Sequence, residues 1–386
     1  MGFWRHGAPG VVAAALLAVP AVATAREPAR AGAHRPAGVA AVKRGLKGLV
    51  AAKGGPPGAI ATLYRNGRLT TISVGRANVK RRGAPRATDH MRIASVAKAY
   101  SGAVVLHLVG HGLLGLNDTI GKRLPSLPAA WGAVTIRQML DHTSGLPNYT
   151  DSDGFKQQVD KDPSGFVAPT TVISWVRSQG LNFTPGSSYE YSNTDNIVLG
   201  LIAQEVTGES YRTLLAKIVF GPARLRQTSL PTTTLTLAKP FIHGYVVVPG
   251  SKPTDVTTFL SPSGAWASGG IASTPADLNR FMRNYLARTF FGSAEQRAQM
   301  QFVAGSSSPP GPGTNSAGLA IFRYRTRCGT VYGHTGNFPG YTQFAAATRN
   351  GKRAVTTSLN IPAPTGALLA RLRSVQTTAV CALLRK

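Results

Sequence analysis

Apolar positions along the chain fall into runs of two periods. Between Val39 and Ala52, Val42, Leu46, Leu49 and Val50 recur at helical spacing, and Gly54-Gly55-Pro56-Pro57-Gly58 ends the run. Ala59–Tyr64 and Leu69–Val74 are strand-like and flank Arg65-Asn66-Gly67-Arg68. Asn-Gly between apolar runs predicts a hairpin, because both residues tolerate positive φ. From Ser95 to Leu116 the chain is apolar on every side, through Val96, Val104, Val105, Leu106, Leu108, Val109 and Leu113, which predicts a buried helix and its exit. Thr135–Leu140, Thr170–Ser178 and Thr194–Val206 also carry helical spacing. After Gly269-Gly270 the pattern changes. Thr274 as N-cap and Pro275 at the first helical position open a helix through Leu278, Phe281 and Met282. Strand-like runs follow at Leu319–Cys328, Thr330–Gly333, Tyr341–Arg349 and Lys352–Leu359, the last two around a second Asn-Gly at Asn350-Gly351. Gly366–Leu384 closes as a helix with Leu368, Leu372, Val375 and Ala379 on one face.

The order helix, hairpin, helical block, antiparallel strands, helix predicts an α/β fold. A lone hairpin is marginally stable, so the strands at both ends are expected to share one antiparallel sheet, with the helical block as an insertion. The expected units are a discontinuous sheet domain, 38–91 with 256–386, and a mainly helical domain, 92–255, with an active-site cleft between them.

The N-terminus changes the setting. Arg5 lies in Met1–His6, Val11–Ala23 is an apolar stretch, and Ala23-Thr24-Ala25 is a small-x-small site. That is the pattern of a secretory signal peptide, residues 1–25, cleaved after Ala25. Residues 26–37, mostly Ala, Arg, Pro and Gly, read as a disordered basic leader. A secreted protein that does not span the membrane is expected, and a monomer. Lys and Arg number 43 against 15 Asp and Glu, a net charge of +28. In an exported chain this points to anionic cell-wall polymers as a further partner and away from nucleic acid. The charge is uneven: residues 141–209 hold nine acids and three bases, and residues 210–386 hold three acids and twenty bases. Cys328 and Cys381 are the two cysteines. In an exported protein they read as one disulfide, the alternative being two free buried thiols.

Several chemical motifs fail on context. Gly110-His111-Gly112-Leu113-Leu114-Gly115 has the dinucleotide-binding spacing but follows a helix rather than a strand. His107 and His111 lack a third metal ligand, and no Gly-x-Ser-x-Gly elbow occurs. No cofactor and no metal is expected. Ser95-Val96-Ala97-Lys98 stands out because it opens the most apolar helix. Positions i and i+3 share a helix face, so the Lys98 amine can reach the Ser95 hydroxyl. In an apolar setting a lysine loses pKa and can act as a base. Tyr191-Ser192-Asn193 follows Pro185-Gly186, and a buried Tyr beside a cation is expected to have a lowered pKa. His334-Thr335-Gly336 is read as ending a strand, with Gly336 letting a substrate backbone approach its edge.

In this order, Ser95-x-x-Lys98, Tyr191-x-Asn193 and His334-Thr335-Gly336 resemble the motifs of the penicillin-recognising serine hydrolases. The branch is that of class C β-lactamases and soluble actinomycete-type D-alanyl-D-alanine carboxypeptidases. Leu140-Asp141-His142-Thr143-Ser144-Gly145-Leu146 and Gly269-Gly270-Ile271-Ala272-Ser273-Thr274 support it, over residues 38–384. The resemblance implies a β-lactamase/transpeptidase-like fold, with Ser95 as acylated nucleophile and Lys98 or Tyr191 as its base. It implies an oxyanion hole from the backbone N–H groups of Ser95 and Asn337. Asn193 would hold the substrate amide and Thr335 its terminal carboxylate, with Arg323 as a second anchor, although Arg325 and Arg327 are close by. Trp266 and Phe155 would wall the cleft. His334 stands where most members have Lys, so activity is expected to fall as it deprotonates.

The function implied is a secreted, penicillin-sensitive D-alanyl-D-alanine carboxypeptidase acting on peptidoglycan stem peptides, with possible acyl transfer as a transpeptidase. Competing expectations are a class C-like β-lactamase, an esterase or other peptide hydrolase on the same fold, and a non-catalytic wall-binding protein.

Overall fold

The computed structural model describes residues 38–385; the expected signal peptide and leader lie outside the described residues. An eight-stranded antiparallel sheet organises the fold. Its strands are β1 (Gly58–Arg65), β2 (Arg68–Gly75), β3 (Val303–Ala304), β4 (Thr314–Gly318), β5 (Ile321–Thr326), β6 (Gly329–Phe338), β7 (Tyr341–Ala347) and β8 (Ala354–Leu359), in the order β2-β1-β8-β7-β6-β5-β4-β3. The two ends of the chain meet at β1 and β8, where Ala59 pairs with Leu359 and Tyr64 with Ala354. Asn66 and Gly67 have φ of 50° and 75°, the left-handed pair that the two-residue hairpin turn requires.

Three expected boundaries move. Leu319–Cys328 is not one strand: the chain turns at Leu319-Ala320, and β4 pairs with β5 from Gly318↔Ile321 onward. Ala320 adopts φ 52°, which alanine does not signal. Its N–H donates to Leu140 O (2.7 Å) and its carbonyl accepts from the Tyr285 hydroxyl (3.2 Å), so distant residues impose the turn. Asn350-Gly351 is not a two-residue turn either. Only Gly351 is left-handed (φ 67°), and the Thr348 N–H donates to Arg353 O (2.9 Å) to close a longer loop. β6 continues through His334-Thr335-Gly336 to Phe338 instead of ending there.

Alternate residues of β7 enter different apolar layers, as strand pleating demands. Phe344 and Ala346 join a layer with Leu46, Phe322, Val355 and Leu372, covered by α1 (Val39–Val50) and by the last helix. Ala345 and Ala347 join a larger layer. It takes in Val104 of α2 (Ala97–Gly110), Ile197 of α3 (Asn193–Thr207) and Phe281 of α4 (Pro275–Leu286). In α2 every residue from Ala97 to Leu106 is buried. The α4 start is as expected: Thr274 Oγ1 accepts from the Asp277 N–H (3.2 Å) and Pro275 occupies the first turn. The final helix, α5 (Gly366–Leu384), is long and apolar enough by composition to cross a bilayer, a property the sequence reading did not register. Here it buries Leu372, Val375, Ala379, Val380 and Leu383 against α1 and the sheet. Cys328, in the β5–β6 turn, is bonded to Cys381 of α5, with Cα atoms 5.1 Å apart.

Candidate active site

Ser95 lies in one tight 3₁₀ turn, Ala94–Val96, that runs directly into α2, and it caps neither helix. Ala94 holds φ 52°, a left-handed conformation costly for a residue with a Cβ. The turn is clamped from two sides. The Ile93 N–H donates to Ile271 O (3.1 Å). β6 presses on the other side: a Cβ on Gly336 would sit 2.6 Å from Ile93 O and 3.1 Å from Ser95 N. Gly336 is therefore small to admit the backbone of the serine turn, rather than an incoming substrate as expected.

Lys98 is buried completely. Its Nζ lies 3.3 Å from Ser95 Oγ, 2.7 Å from Asn193 Oδ1 and 2.9 Å from the Ser268 carbonyl. Burial pulls the amine down to about 7, with Asp195 opposing the shift. Asn193 is committed at both ends of its amide, since its Nδ2 donates to Asn148 Oδ1 (3.1 Å). It positions Lys98, and the substrate-amide role expected of it is not open while both ends are engaged.

Tyr191 departs from expectation. The Lys98 Nζ stands over its ring, 4.9 Å from the centroid, not beside its hydroxyl. Burial therefore dominates and pushes the phenol far above its ordinary value, with Ser95 the main group opposing it. The hydroxyl is buried and has no hydrogen-bond partner. Behind it lies a pair that received no role from sequence: His142 Nδ1 and Asp195 Oδ2 are 2.7 Å apart, and Ser144 Oγ donates to Asp195 Oδ1 (2.5 Å). The His142 ring is 4.5 Å from that of Tyr191. Burial holds the Asp195 carboxyl up and the His142 imidazole down. His142 and Ser144 belong to the stretch 140–146, whose signal was visible but whose partner, Asp195, was not. Ser268 and Asn148 were also missed; the Ser268 contact is made by a backbone carbonyl, for which sequence has no mark.

His334 is fully buried, and its Nδ1–H donates to the Thr335 carbonyl, leaving Nε2 without a partner. Burial, and then Lys98, hold the imidazole well below its ordinary value. That direction runs against the expected loss of activity through its deprotonation near neutrality. Thr335 is 1% exposed and its hydroxyl donates to the Pro309 carbonyl (2.6 Å). Asn337 lies on β6 beyond Gly336, its Oδ1 accepting from the Ala363 N–H (2.8 Å). From His334 to Phe338, β6 pairs with β7 alone, because β5 stops pairing at Gly333.

Two expected walls and one anchor are elsewhere. On β5 it is Phe322 whose ring reaches the site, 5.0 Å from that of His334. Its neighbour Arg323 lies on the face of its β6 partner Tyr332, donating to Ser316 Oγ (3.1 Å) and lying 4.4 Å over Phe302. Trp266 is buried on Tyr211, 4.9 Å between rings, and against Gly200; its segment borders the site but its indole fills the core. Phe155 packs on Tyr149 (5.8 Å) and Trp175 (6.2 Å), reaching the site only through Tyr149, whose hydroxyl is 3.4 Å from Ser268 Oγ. An open groove of about 630 Å³ among Leu124, Ile173, Leu201 and Ser210 includes none of these residues. His107 Nδ1–H donates to Phe290 O and His111 Nδ1–H to His107 O, both at 2.8 Å.

Comparisons with known proteins bear on the family and the fold. Over 269 residues the chain is 26% identical to "Penicillin-binding protein 4*" of Bacillus subtilis (strain 168), covering 65% of this chain and 56% of the relative. It is 31% identical over 186 residues to "Protein flp" of Staphylococcus aureus, 47% of this chain and 36% of that one. The chain thus spans about half or less of the length of these curated relatives. Among solved structures, a D-stereospecific amidohydrolase from Streptomyces sp. superposes with a TM-score of 0.75 at 28% identity, covering 84% of this chain and 94% of that one. A D-amino acid amidase from Ochrobactrum anthropi SV3 shares the fold, with a TM-score of 0.78 at 23% identity over 89% and 97% of the two chains. Residues 39–378 match the family model described as Beta-lactamase, a span that starts in α1, ends in α5 and contains every residue placed around Ser95. The strained serine turn and its buried lysine lie within that matched span, and the chain belongs to the Beta-lactamase family.

Proposed function

We propose that this chain is an exported serine hydrolase that cleaves the amide bond of D-configured peptides or amides through an acyl ester on Ser95. One observation carries the reading. Two of the three partners of Lys98 Nζ, Asn193 Oδ1 and the Ser268 carbonyl, can only accept hydrogen bonds. A neutral amine spends its two hydrogens on them, and its lone pair is left for the third partner, the Ser95 hydroxyl.

Catalysis then follows from the parts present. Lys98 takes the Ser95 proton as Oγ attacks the carbonyl carbon. Backbone N–H groups of Ser95 and Asn337 hold the oxyanion, each worth roughly 3–4 kcal/mol in such sites. The C–N bond breaks and the leaving amine receives the proton. Burial holds the Tyr191 phenol up, which disfavours its phenolate, and Lys98, with its lone pair toward Ser95, takes the role of base. Water then cleaves the ester, returning Ser95.

Within this class, the three-motif set and the penicillin-binding relative favour the D-alanyl-D-alanine carboxypeptidase expected from sequence, with stem peptides as substrate. The amidohydrolase at 28% identity favours a D-amide substrate. A class C-like β-lactamase differs by fast deacylation. Export rests on residues 1–25 alone.

The test is intact mass over time after mixing the protein with a D-alanine p-nitrophenyl ester and, separately, benzylpenicillin, with Ser95→Ala as control. A one-to-one adduct absent in Ser95→Ala supports the reading. Rapid loss of the penicillin adduct with consumption of the drug indicates a β-lactamase. No adduct from either reagent refutes an acyl-enzyme.

A further inference from the structure

Charge is divided along the chain, and the fold concentrates the division. Residues 38–88 and 296–386 each hold eleven Lys or Arg and no Asp or Glu, whereas 89–295 holds seventeen bases and fourteen acids. The two acid-free segments are far apart in sequence and meet in space: β1 pairs with β8, and α1 packs on α5. All eight strands of the main sheet, α1 and α5 are therefore made from chain without a carboxylate side chain.

α1 turns this into a surface. Val42, Leu46 and Leu49 are buried, and Lys43, Arg44 and Lys47 are exposed on the opposite side of the helix. Lys43 and Lys47 are one turn apart, about 6 Å along the axis. Exposed Arg371 of α5 donates to Gly48 O (3.0 Å), which sets a fourth cation at the end of the row. Lys53, just past α1, and Arg68, at the start of β2, are exposed as well. Among the described residues none of these six is paired with a carboxylate. Like charges three and four residues apart on a helix repel, and a polyanion relieves that cost. α1 and α5 cover one apolar layer of the sheet and α2 belongs to the other, so the row lies on the side away from the helix that Ser95 opens.

The rest of the surface narrows the partner. A membrane surface needs apolar side chains beside the cations, and those of α1 are turned into the core. Single-stranded nucleic acid is held by aromatic platforms, and neither α1 nor α5 contains an aromatic residue. We infer that the outer face of α1, with Arg371, binds a linear polyphosphodiester of the cell wall and holds the exported protein on it with the Ser95 side of the sheet left free. This goes beyond the proposed hydrolysis and shares with it only the export of the chain.

Binding of the whole protein to a synthetic poly(glycerol phosphate) is measured over a range of salt, with duplex DNA and phosphatidylglycerol vesicles in parallel. Lys43→Gln, Arg44→Gln and Lys47→Gln together are expected to weaken polymer binding about tenfold or more at low salt. The salt slope is expected to flatten by about 2, from three lost phosphate contacts at roughly 0.7 each. Lys156→Gln, Lys161→Gln and Arg177→Gln, exposed cations of the acidic stretch, change the net charge equally and are expected to leave affinity within twofold. Equal weakening by the two triples means that net charge alone acts, and overturns the inference. Tighter binding to DNA or to vesicles than to the polymer overturns it too, as does no binding to the polymer at low salt. Melting curves show whether the α1 triple folds. If it does not, Lys53→Gln with Arg68→Gln takes its place, with a loss of about threefold expected and an unchanged affinity counting against the inference. Hydrolysis of the p-nitrophenyl ester under saturating polymer is expected to stay within twofold of the free rate, and inhibition puts the polymer across the site and overturns the placement. Failure of the acyl-enzyme reading is distinguishable, since it abolishes ester hydrolysis and leaves the binding comparison intact.

Discussion

Gly336 and Ser95 are in backbone contact across two elements far apart in sequence: the space where a Gly336 Cβ would stand is 3.1 Å from the Ser95 nitrogen and 2.6 Å from the carbonyl of Ile93. Both opposing atoms are main chain, so neither can rotate aside. Gly336→Ala is expected to push the serine turn outward. A displacement near 1 Å at a reacting atom costs on the order of 10²-fold, while overpacking of this kind costs about 1–3 kcal/mol. Acylation rate and denaturant unfolding, measured together, separate the two. Unchanged acylation means the contact does not position Ser95.

The amine of Lys98, held at about 7 by burial, must be neutral to act. kcat/KM is therefore expected to rise with pH through about 7 and then to stay level to pH 8, with no descending limb from the neutral His334. A rate that falls between pH 6 and 8 contradicts both assignments.

The same depressed amine acts on stability. Its folded value lies below the unfolded one, so between about 7 and the usual lysine range the unfolded chain binds more protons. The wild type is thus expected to gain stability as pH rises from 7 toward 10. Lys98→Met removes the buried charge and keeps the length of the side chain; its unfolding free energy is expected to lose that slope, and its acylation rate to drop by about 10²–10⁴. Denaturant melts at pH 6.5 and 9 check the first point and stopped-flow acylation the second.

Asp195 accepts from Ser144 and is bonded to His142, and all three are buried. Asp195→Ala removes the acceptor of the buried Ser144 hydroxyl and the carboxylate partner of His142, at about 1–3 kcal/mol each. Ser144→Ala with Asp195→Asn in a double-mutant cycle is expected to show coupling above about 0.5 kcal/mol. Additive losses mean the network is not one unit.

Cys328 and Cys381 close a loop 53 residues apart. Chain-entropy reasoning puts its contribution at roughly 4 kcal/mol. Reduction, or Cys328→Ser with Cys381→Ser, is expected to lower Tm by several degrees or more while Ser95 still acylates. Equal melting with and without reductant denies the bond a structural role.

Local signals reported local structure well. Asn66-Gly67, Thr274-Pro275 and the Gly366–Leu384 helix follow from residues adjacent in sequence, and each occurs where its pattern stands. The Ser95–Lys98 approach follows from one helical turn. What the sequence concealed is non-local. The Ala320 turn is imposed by Leu140 and Tyr285. Thr335 meets Pro309, and Asp195 meets His142, through contacts that no motif records. For Tyr191, a neighbouring cation is legible in sequence and predicts a lowered phenol, whereas the extent of burial, which raises it, is not legible there.

The pairing of Ala59 with Leu359 bears on how the molecule is made. During synthesis the first hairpin emerges some three hundred residues before the strand that shelters it, and β6, which seats the serine turn, arrives almost as late. A ribosome-bound chain carrying Ser95 and Lys98 has no platform for either. The site is consequently expected to stay silent until the last strands are delivered, and a chain stopped before β8 is expected to be inert rather than merely weakened.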